Sequence, residues 1–223
     1  MALTLSQYLR QFLFEERLQR FQDVVAQRTR HINVVLENIF HAHNASACLR
    51  TCDCFGVQDV HIIEDMNQFK PNEEVALGAN QWLSISRYQK TEDCLNQLRE
   101  SGCRILATSP RQHSKPLHEV DINHKTAIVF GAEQVGVSDE AISLADELIH
   151  IPMYGFTESF NISVSAGLCL QQFTTRLRQE NFSWQLSQAE QEELLESWVR
   201  RSLGTKLEPL IRRFEQDYPE KAE

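Results

Sequence analysis

Apolar positions follow two rhythms along this chain. Residues 3–26 place Leu5, Leu9, Phe12, Leu13, Leu18, Phe21 and Val25 at spacings of mostly three and four, which predicts an amphipathic helix or a pair of them. Ile32–Ile39 (INVVLENI) is rich in branched apolar residues and reads as the first core strand. His41–Gly56 returns to helical spacing, with Ala47, Leu49 and Phe55 facing a core and Gly56 as the stop. Further strands are expected at Val57–Ile63, Trp82–Tyr88, Cys103–Thr108, Thr126–Phe130 and Leu148–Ile151. Between them, Glu64–Asn80 with Pro71 and Gly78 reads as a loop or short irregular helices, and Thr91–Ser101 as a helix ended by Gly102. A loop holds Pro110 and Pro116. Asp139–Asp146 reads as a short helix capped by Ser138, with acidic residues in its first turn. A long helix starts near Phe160 and runs to about Gln179, and two more helical stretches lie around 187–202 and 206–217.

Strand and helix patterns alternate through residues 32–179, so the indicated class is α/β: a mostly parallel sheet with helices on both faces. The expected organisation is an N-terminal helical extension over 1–30, a central domain over 31–179 and a C-terminal helical extension over 180–223. With 223 residues, 42% of them hydrophobic and 24% charged, the chain can bury one good core plus peripheral helices.

Charge refines this picture. A net charge of −9 argues against a wholly basic nucleic-acid coat, so the basic residues have to be located rather than counted. Within 9–31, Arg10, Arg17, Arg20, Arg28 and Arg30 stand against Glu15, Glu16 and Asp23, a modest excess that suits a solvated helix face. The run Arg200–Arg213 is richer, with Arg200, Arg201, Lys206, Arg212 and Arg213 against Glu208. It is the better candidate for a phosphate-binding face.

Six cysteines and no leading apolar signal segment suggest a reducing, cytoplasmic setting. Cys48, Cys52 and Cys54 lie in a helix-like segment without paired CxxC knuckles or suitably spaced histidines, so packed thiols are expected rather than a metal. No apolar run approaches the roughly 20 residues that span a bilayer, so no membrane partner is expected.

The candidate chemistry concentrates in Ala127–Leu170. Two short apolar runs each empty into a loop carrying glycine and side-chain oxygens, as buried strands do when they deliver a ligand site at their carboxyl ends. The second loop then opens a helix whose first turn carries Ser159, Asn161 and Ser163, where free N–H groups bind polar ligand atoms. Gly131 to Ser138 (GAEQVGVS) has the glycine spacing of a phosphate loop, but Val137 stands where the lysine belongs. No strand is followed by GxGxxG and no GxSxG elbow occurs, so hydride transfer and serine hydrolysis lose support. His41 and His43, flanking Asn44, read as loop residues. The residues alone indicate a small-molecule pocket in an α/β domain.

Three motifs take the reading further: Asn44-x5-Arg50, then Phe130-Gly-Ala-Glu133-x2-Gly136, then Ile151-Pro-Met-x-Gly155-x3-Ser159-x-Asn161-x-Ser163. Together they closely resemble the motifs of the SpoU/TrmH branch of the SPOUT RNA methyltransferases. The match runs over most of residues 32–170. One departure is Phe160, where leucine is usual; it should alter packing around the ligand more than chemistry. The resemblance implies a C-terminal deep trefoil knot within the α/β fold, a topology that general rules disfavour. It also implies S-adenosylmethionine bound by loops at Thr108, Gly131 and Ile151, with Ser159 and Phe160 closing the site. A homodimer is implied, in which the partner subunit helps complete each active site. The flanking helices resemble those of the members that methylate a guanosine ribose in the tRNA D loop, so tRNA is the expected partner and Arg200, Arg201, Arg212 and Arg213 its expected contacts.

The implied reaction moves a methyl group from a sulfonium to a ribose 2′-hydroxyl, so the protein must align the reactants and assist loss of a proton. The resemblance gives Arg50 the central role, with Asn44, Glu133, Ser159 and Asn161 holding it or the ribose-phosphate. A guanidinium stays protonated, so Arg50 is expected to clamp the adjacent phosphate and stabilise the developing alkoxide rather than act as the base. For Glu133 and Asn161 a loop-stabilising role competes with a catalytic one. Two other functions stand beside this reading: 2′-O-methylation of a ribosomal RNA ribose or another tRNA position, and a non-catalytic RNA-binding module that keeps the knot.

Overall fold

The structure, a computed structural model, describes residues 3–66, 76–110, 113–179 and 183–219. The chain divides into two compact units, Thr29–Trp184 and, drawn from both ends, Met1–Arg28 with Gln185–Glu223.

The Thr29–Trp184 unit is built on a seven-stranded sheet: β1 (Thr29–Glu37), β2 (Val57–Ile63), β3 (Ser84–Tyr88), β4 (Arg104–Thr108), β5 (Lys115–Pro116), β6 (Thr126–Phe130) and β7 (Glu147–His150). The order is β3-β2-β1-β6-β4-β7-β5, and each pairing is parallel. Helices α3 (Ala42–Phe55), α4 (Thr91–Glu100), α5 (Asp139–Leu144) and α6 (Ile162–Gln179) belong to the same unit. Its class is the α/β arrangement that the alternating patterns indicate.

Period two sorts the core onto two faces. Val34 and Leu36 of β1, Leu106 of β4, and Ile128 and Phe130 of β6 pack with Leu49 and Cys52 of α3 and Leu170 and Phe173 of α6. The alternate residues Val35, Ile105, Ala107, Ala127 and Val129 pack with Leu95 and Leu98 of α4 and Ala141 of α5. Covered on both faces, β1 and β6 read as continuous apolar runs, which is why the sequence pattern exposes them.

The structure corrects several boundaries. β1 starts at Thr29 rather than Ile32, because the Thr29 hydroxyl donates to the Trp184 carbonyl at 2.6 Å and His31 Nε2 lies 2.8 Å from the Ile122 carbonyl. Tertiary bonds, not apolar burial, hold these polar residues in the strand. β3 starts at Ser84, after a 3-10 turn over Ala79–Gln81, and β7 ends at His150. β5 occupies part of the expected Pro110–Pro116 loop; at two residues it is too short to leave a periodic signature. The long helix starts at Ile162, and α5 ends at Leu144. Residues 67–75 of the expected irregular stretch and 111–112 of the expected loop lie outside the described residues. Among the described residues no helix is long and apolar enough to cross a membrane. All six cysteines are unbridged; Cys48 and Cys52 are buried and Cys54 is exposed.

The second unit joins α1 (Leu5–Arg10) and α2 (Glu15–Val25) to α7 (Gln188–Leu203) and α8 (Leu207–Asp217). Capping boxes start two of these helices, Thr4 with Gln7 and Ser187 with Glu190. Aromatic rings form its interior: Tyr8 and Phe214 centroids lie 5.3 Å apart, and Phe21 and Trp198 5.7 Å apart. Arg28, 1% exposed, holds its guanidinium 5.4 Å over the Trp198 ring.

Candidate active site

β4, β6 and β7 end side by side, and the loops that leave them enclose a cleft of about 550 Å³. Thr108, Gly131, Ile151, Ser159 and Phe160 all line it, as does Asn161. At its floor the Thr108 hydroxyl donates to the Val129 carbonyl at 2.9 Å, and Ser109 N–H donates to the Ile149 carbonyl at 2.8 Å, which lock the three strand ends together. The loop from Gly131 to Ser138 folds back on itself: Gly136 N–H donates to the Ala132 carbonyl at 2.8 Å, and Gly136 takes φ +74°. A Cβ on Gly131 would lie 2.1 Å from the backbone of Gly136 and Val137, so only glycine permits this closure.

The charged lining is one-sided. Glu133 and Glu158 face the cleft with His150, and among the described lining residues there is neither lysine nor arginine. Cys169 also lines it, but burial pushes its thiol up to about 12, so it contributes an apolar, protonated surface rather than a nucleophile.

A chain of side-chain amides ties the three motifs together beside this cleft. Asn161 Nδ2 donates to Asn44 Oδ1 at 3.2 Å, and Asn44 Nδ2 donates to Glu133 Oε1 at 2.7 Å. Glu133 Oε2 accepts Phe40 N–H at 3.3 Å. The Asn161 oxygen meanwhile accepts the Ser163 N–H at 2.9 Å and the Ser163 hydroxyl at 2.6 Å, so it caps the start of α6. That cap is why α6 begins two residues later than expected. Burial works to raise the Glu133 carboxyl, but hydrogen bonds from Asn44 and from the Phe40 and His41 backbone outweigh it and hold the group below its ordinary value.

Arg50 stands elsewhere. Asn44 is the third residue of α3, so the helix is continuous through both positions, and six residues of helix turn them about 120° apart. Arg50 is exposed, and among the described residues it has no hydrogen-bond or ion-pair partner. The structure therefore joins Asn44, Glu133 and Asn161 but leaves Arg50 outside their network. Of the tail residues, Arg200 directs Nε and Nη2 to Glu196 Oε1 at 2.9 and 2.7 Å, and Arg213 Nε lies 3.6 Å from Asp217. Arg201 and Arg212 are exposed on the same helical unit. The charge count over 200–213 stops one helical turn short of both acidic partners, which is why the run looks more positive in sequence than in space. Sequence reading also passed over Glu37, hidden within an apolar strand.

A family model described as the SpoU rRNA methylase family matches residues 31–171, the span that holds all but the first two residues of the sheet, the cleft and all three motifs. This chain belongs to that family. Among SpoU family relatives, a tRNA (guanosine(18)-2′-O)-methyltransferase of Borreliella burgdorferi is 38% identical over 193 residues, 86% of this chain and 88% of that protein. One of the same name from Thermus thermophilus is 37% identical over 156 residues, 70% of this chain and 80% of its own length. The solved structure of the A. aeolicus TrmH/SpoU tRNA modifying enzyme superposes with a TM-score of 0.79 at 31% identity, covering 85% of this chain and 98% of that one.

Proposed function

We propose that this SpoU family member transfers a methyl group from S-adenosylmethionine to the ribose 2′-hydroxyl of guanosine 18 in the D loop of tRNA, as the names of its relatives indicate for them. The observation that carries this reading is the cleft at the ends of β4, β6 and β7, joined to the Asn44–Glu133–Asn161 chain. The residues present fit the cofactor. A lining with carboxylates and, among the described residues, neither lysine nor arginine suits a positively charged sulfonium. Gly131 and Gly136 line the cleft with backbone alone, having no side chains.

Bound there, S-adenosylmethionine supplies an already activated methyl group. Thr108, Gly131, Ile151, Ser159 and Phe160 hold it, and the protein aligns the ribose. Glu133 is a poor proton acceptor, because its carboxyl is held below the ordinary value and lies far from the optimum for a base at neutral pH. Its work is to orient Asn44, and through it Asn161, toward the ribose-phosphate. Arg50 clamps the neighbouring phosphate and stabilises the developing alkoxide with its planar fork. Methylation at saturating tRNA should drop sharply in Arg50→Lys, and a variant that keeps most of the rate refutes the need for the fork.

The active assembly is a homodimer. Val164 and Leu168, one turn apart on α6, are exposed apolar residues, and Tyr154, Phe156 and Phe160 in the loop before the helix are exposed too, apolar surface suited to a second copy of the chain. Such a copy brings its own groups to the site, which accounts for Arg50 standing apart from the residues it serves. The trefoil knot belongs to the same proposal; it is supported by the placement of β7, which enters the sheet between β4 and the earlier β5. The helical unit contacts tRNA through Arg200, Arg201, Arg212 and Arg213, of which Arg200 and Arg213 exchange their carboxylates for phosphate. Free thiols suit a cytoplasmic protein.

Labelled methyl transfer to unmodified tRNA, followed by mapping of the modified nucleotide, tests the proposal. Label at guanosine 18 is expected. Label in ribosomal RNA with none in any tRNA overturns the substrate, and no transfer to either overturns the enzyme.

A further inference from the structure

We infer that Glu37 is a positioning residue for the cofactor cleft, seating the Gly131–Ser138 loop on the end of β1; the inference rests on the reading of that cleft as the S-adenosylmethionine site. Glu37 is the last residue of β1 and is 1% exposed. Its Oε2 accepts the Ser138 N–H at 2.8 Å, and its Oε1 accepts both the Ser138 hydroxyl and the Thr91 hydroxyl at 2.7 Å. Ser138 closes the loop and caps α5, its hydroxyl oxygen accepting the Ala141 N–H at 3.0 Å. One carboxyl group thus takes both protons that Ser138 offers, which fixes the position and the orientation of the loop's end.

Burying a carboxyl group is costly unless its bonds are all made, and here three donors converge on it. Its surroundings are held with similar care. Asn38, the next residue, takes φ +52°, donates its N–H to the Ile63 carbonyl at 3.0 Å and accepts Met66 N–H on its side-chain oxygen at 2.8 Å. Two residues later, Phe40 N–H reaches Glu133. The strand end and the loop are therefore stapled twice in opposite directions: Glu37 reaches from strand to loop, and Glu133 reaches from loop to the segment after the strand. The bridge between Ala132 and Gly136 sets the loop's internal shape. What it leaves open is where that shape sits over the cleft, and Glu37 settles this without lining the cleft itself.

Thr91 provides the control, because it bonds to the same carboxyl group from α4, an element that lines no part of the cleft. The test is calorimetric titration of the full chain with S-adenosylmethionine and, separately, with unmodified tRNA, alongside thermal melting. Glu37→Gln leaves one amide oxygen to serve three donors, and the dissociation constant for the cofactor should rise about tenfold while that for tRNA stays within about twofold. Ser138→Ala keeps the N–H and loses the hydroxyl; it should fall between wild type and Glu37→Gln, and it carries the test if Glu37→Gln does not fold. Thr91→Ala should lower the melting temperature and leave cofactor affinity within about twofold. The inference is overturned if Glu37→Gln or Ser138→Ala melts earlier yet binds cofactor as wild type does, or if Thr91→Ala weakens cofactor binding as much as Glu37→Gln. A wild-type chain that binds no S-adenosylmethionine brings down the cleft reading instead.

Discussion

Replacing Gly131 by alanine adds a single methyl group where the structure has no room for one. Its carbon would lie 2.1 Å from the Gly136 carbonyl carbon and oxygen and from the Val137 nitrogen, against an ordinary contact of about 3.5 Å. Backbone on one side of the loop must therefore retreat by roughly 1.4 Å, because no flexible side chain stands in the way to yield instead. Overpacking of this kind costs about 1–3 kcal/mol. The larger effect is on alignment: a displacement near 1 Å in a positioning element costs on the order of 10²-fold in rate. Gly136→Ala separates strain from geometry, since it meets nothing within 4 Å but has φ +74°. It should cost about 1–2 kcal/mol of stability while leaving the cleft open. Single-turnover methyl transfer at saturating tRNA, with calorimetric cofactor titration and melting curves for both variants, gives the comparison. Gly131→Ala should lose most of its cofactor affinity and rate, and Gly136→Ala should lose mainly stability. A Gly131→Ala chain that binds and transfers like wild type would refute the reasoning, as would two variants equal in both readouts.

Three further outcomes follow. Glu133, with its carboxyl depressed in the folded state from the ordinary 4.5, contributes stability that is present above that value and is lost as pH falls through the folded value; acid melting curves should show this loss in wild type and less of it in Glu133→Gln. Glu196→Gln releases Arg200, so tRNA affinity and the steepness of its salt dependence should both rise, whereas charge reversal at Arg201 and Arg212 should lower both with cofactor affinity intact; filter binding across a salt series reads this, and unchanged slopes return the arginines to a solvated face. Trp198→Ala removes the ring shared by Phe21 and Arg28 and should cost about 3–5 kcal/mol within the helical unit; tRNA binding should weaken while cofactor titration is unmoved, and loss of cofactor binding would contradict this separation.

Burial decided which parts of the fold were legible in sequence. β1 and β6 show because they are apolar on both faces, and α3 shows because Gly56, at φ +74°, ends it where the next strand begins. Thr29 and His31 hid their membership of β1 because the Trp184 and Ile122 carbonyls that hold them come from far along the chain. In the site, the strand ends at Thr108 and Gly131 follow from periodicity, but the meeting of Asn44, Glu133 and Asn161 does not. Only the motif resemblance suggested it, since two of the three are neutral amides whose worth depends on what they face. Glu37 illustrates the limit well. It is one of three polar residues in INVVLENI, and nothing local announces that Ser138, 101 residues on, will claim it.

The helical unit takes α1 and α2 from the beginning of the chain and α7 and α8 from its end. During synthesis, Tyr8 and Phe21 leave the ribosome before their ring partners Phe214 and Trp198, which lie on the far side of the sheet unit in sequence. The sheet unit between them can fold as soon as it emerges, while this one must wait until α7 and α8 have been made. A chain cut short before α7 would therefore keep its cleft yet carry two orphaned helices with bare apolar faces, a species for chaperones and proteases rather than a smaller enzyme. Joining two segments so distant in sequence makes the presence of α7 and α8 a condition for the stability of α1 and α2.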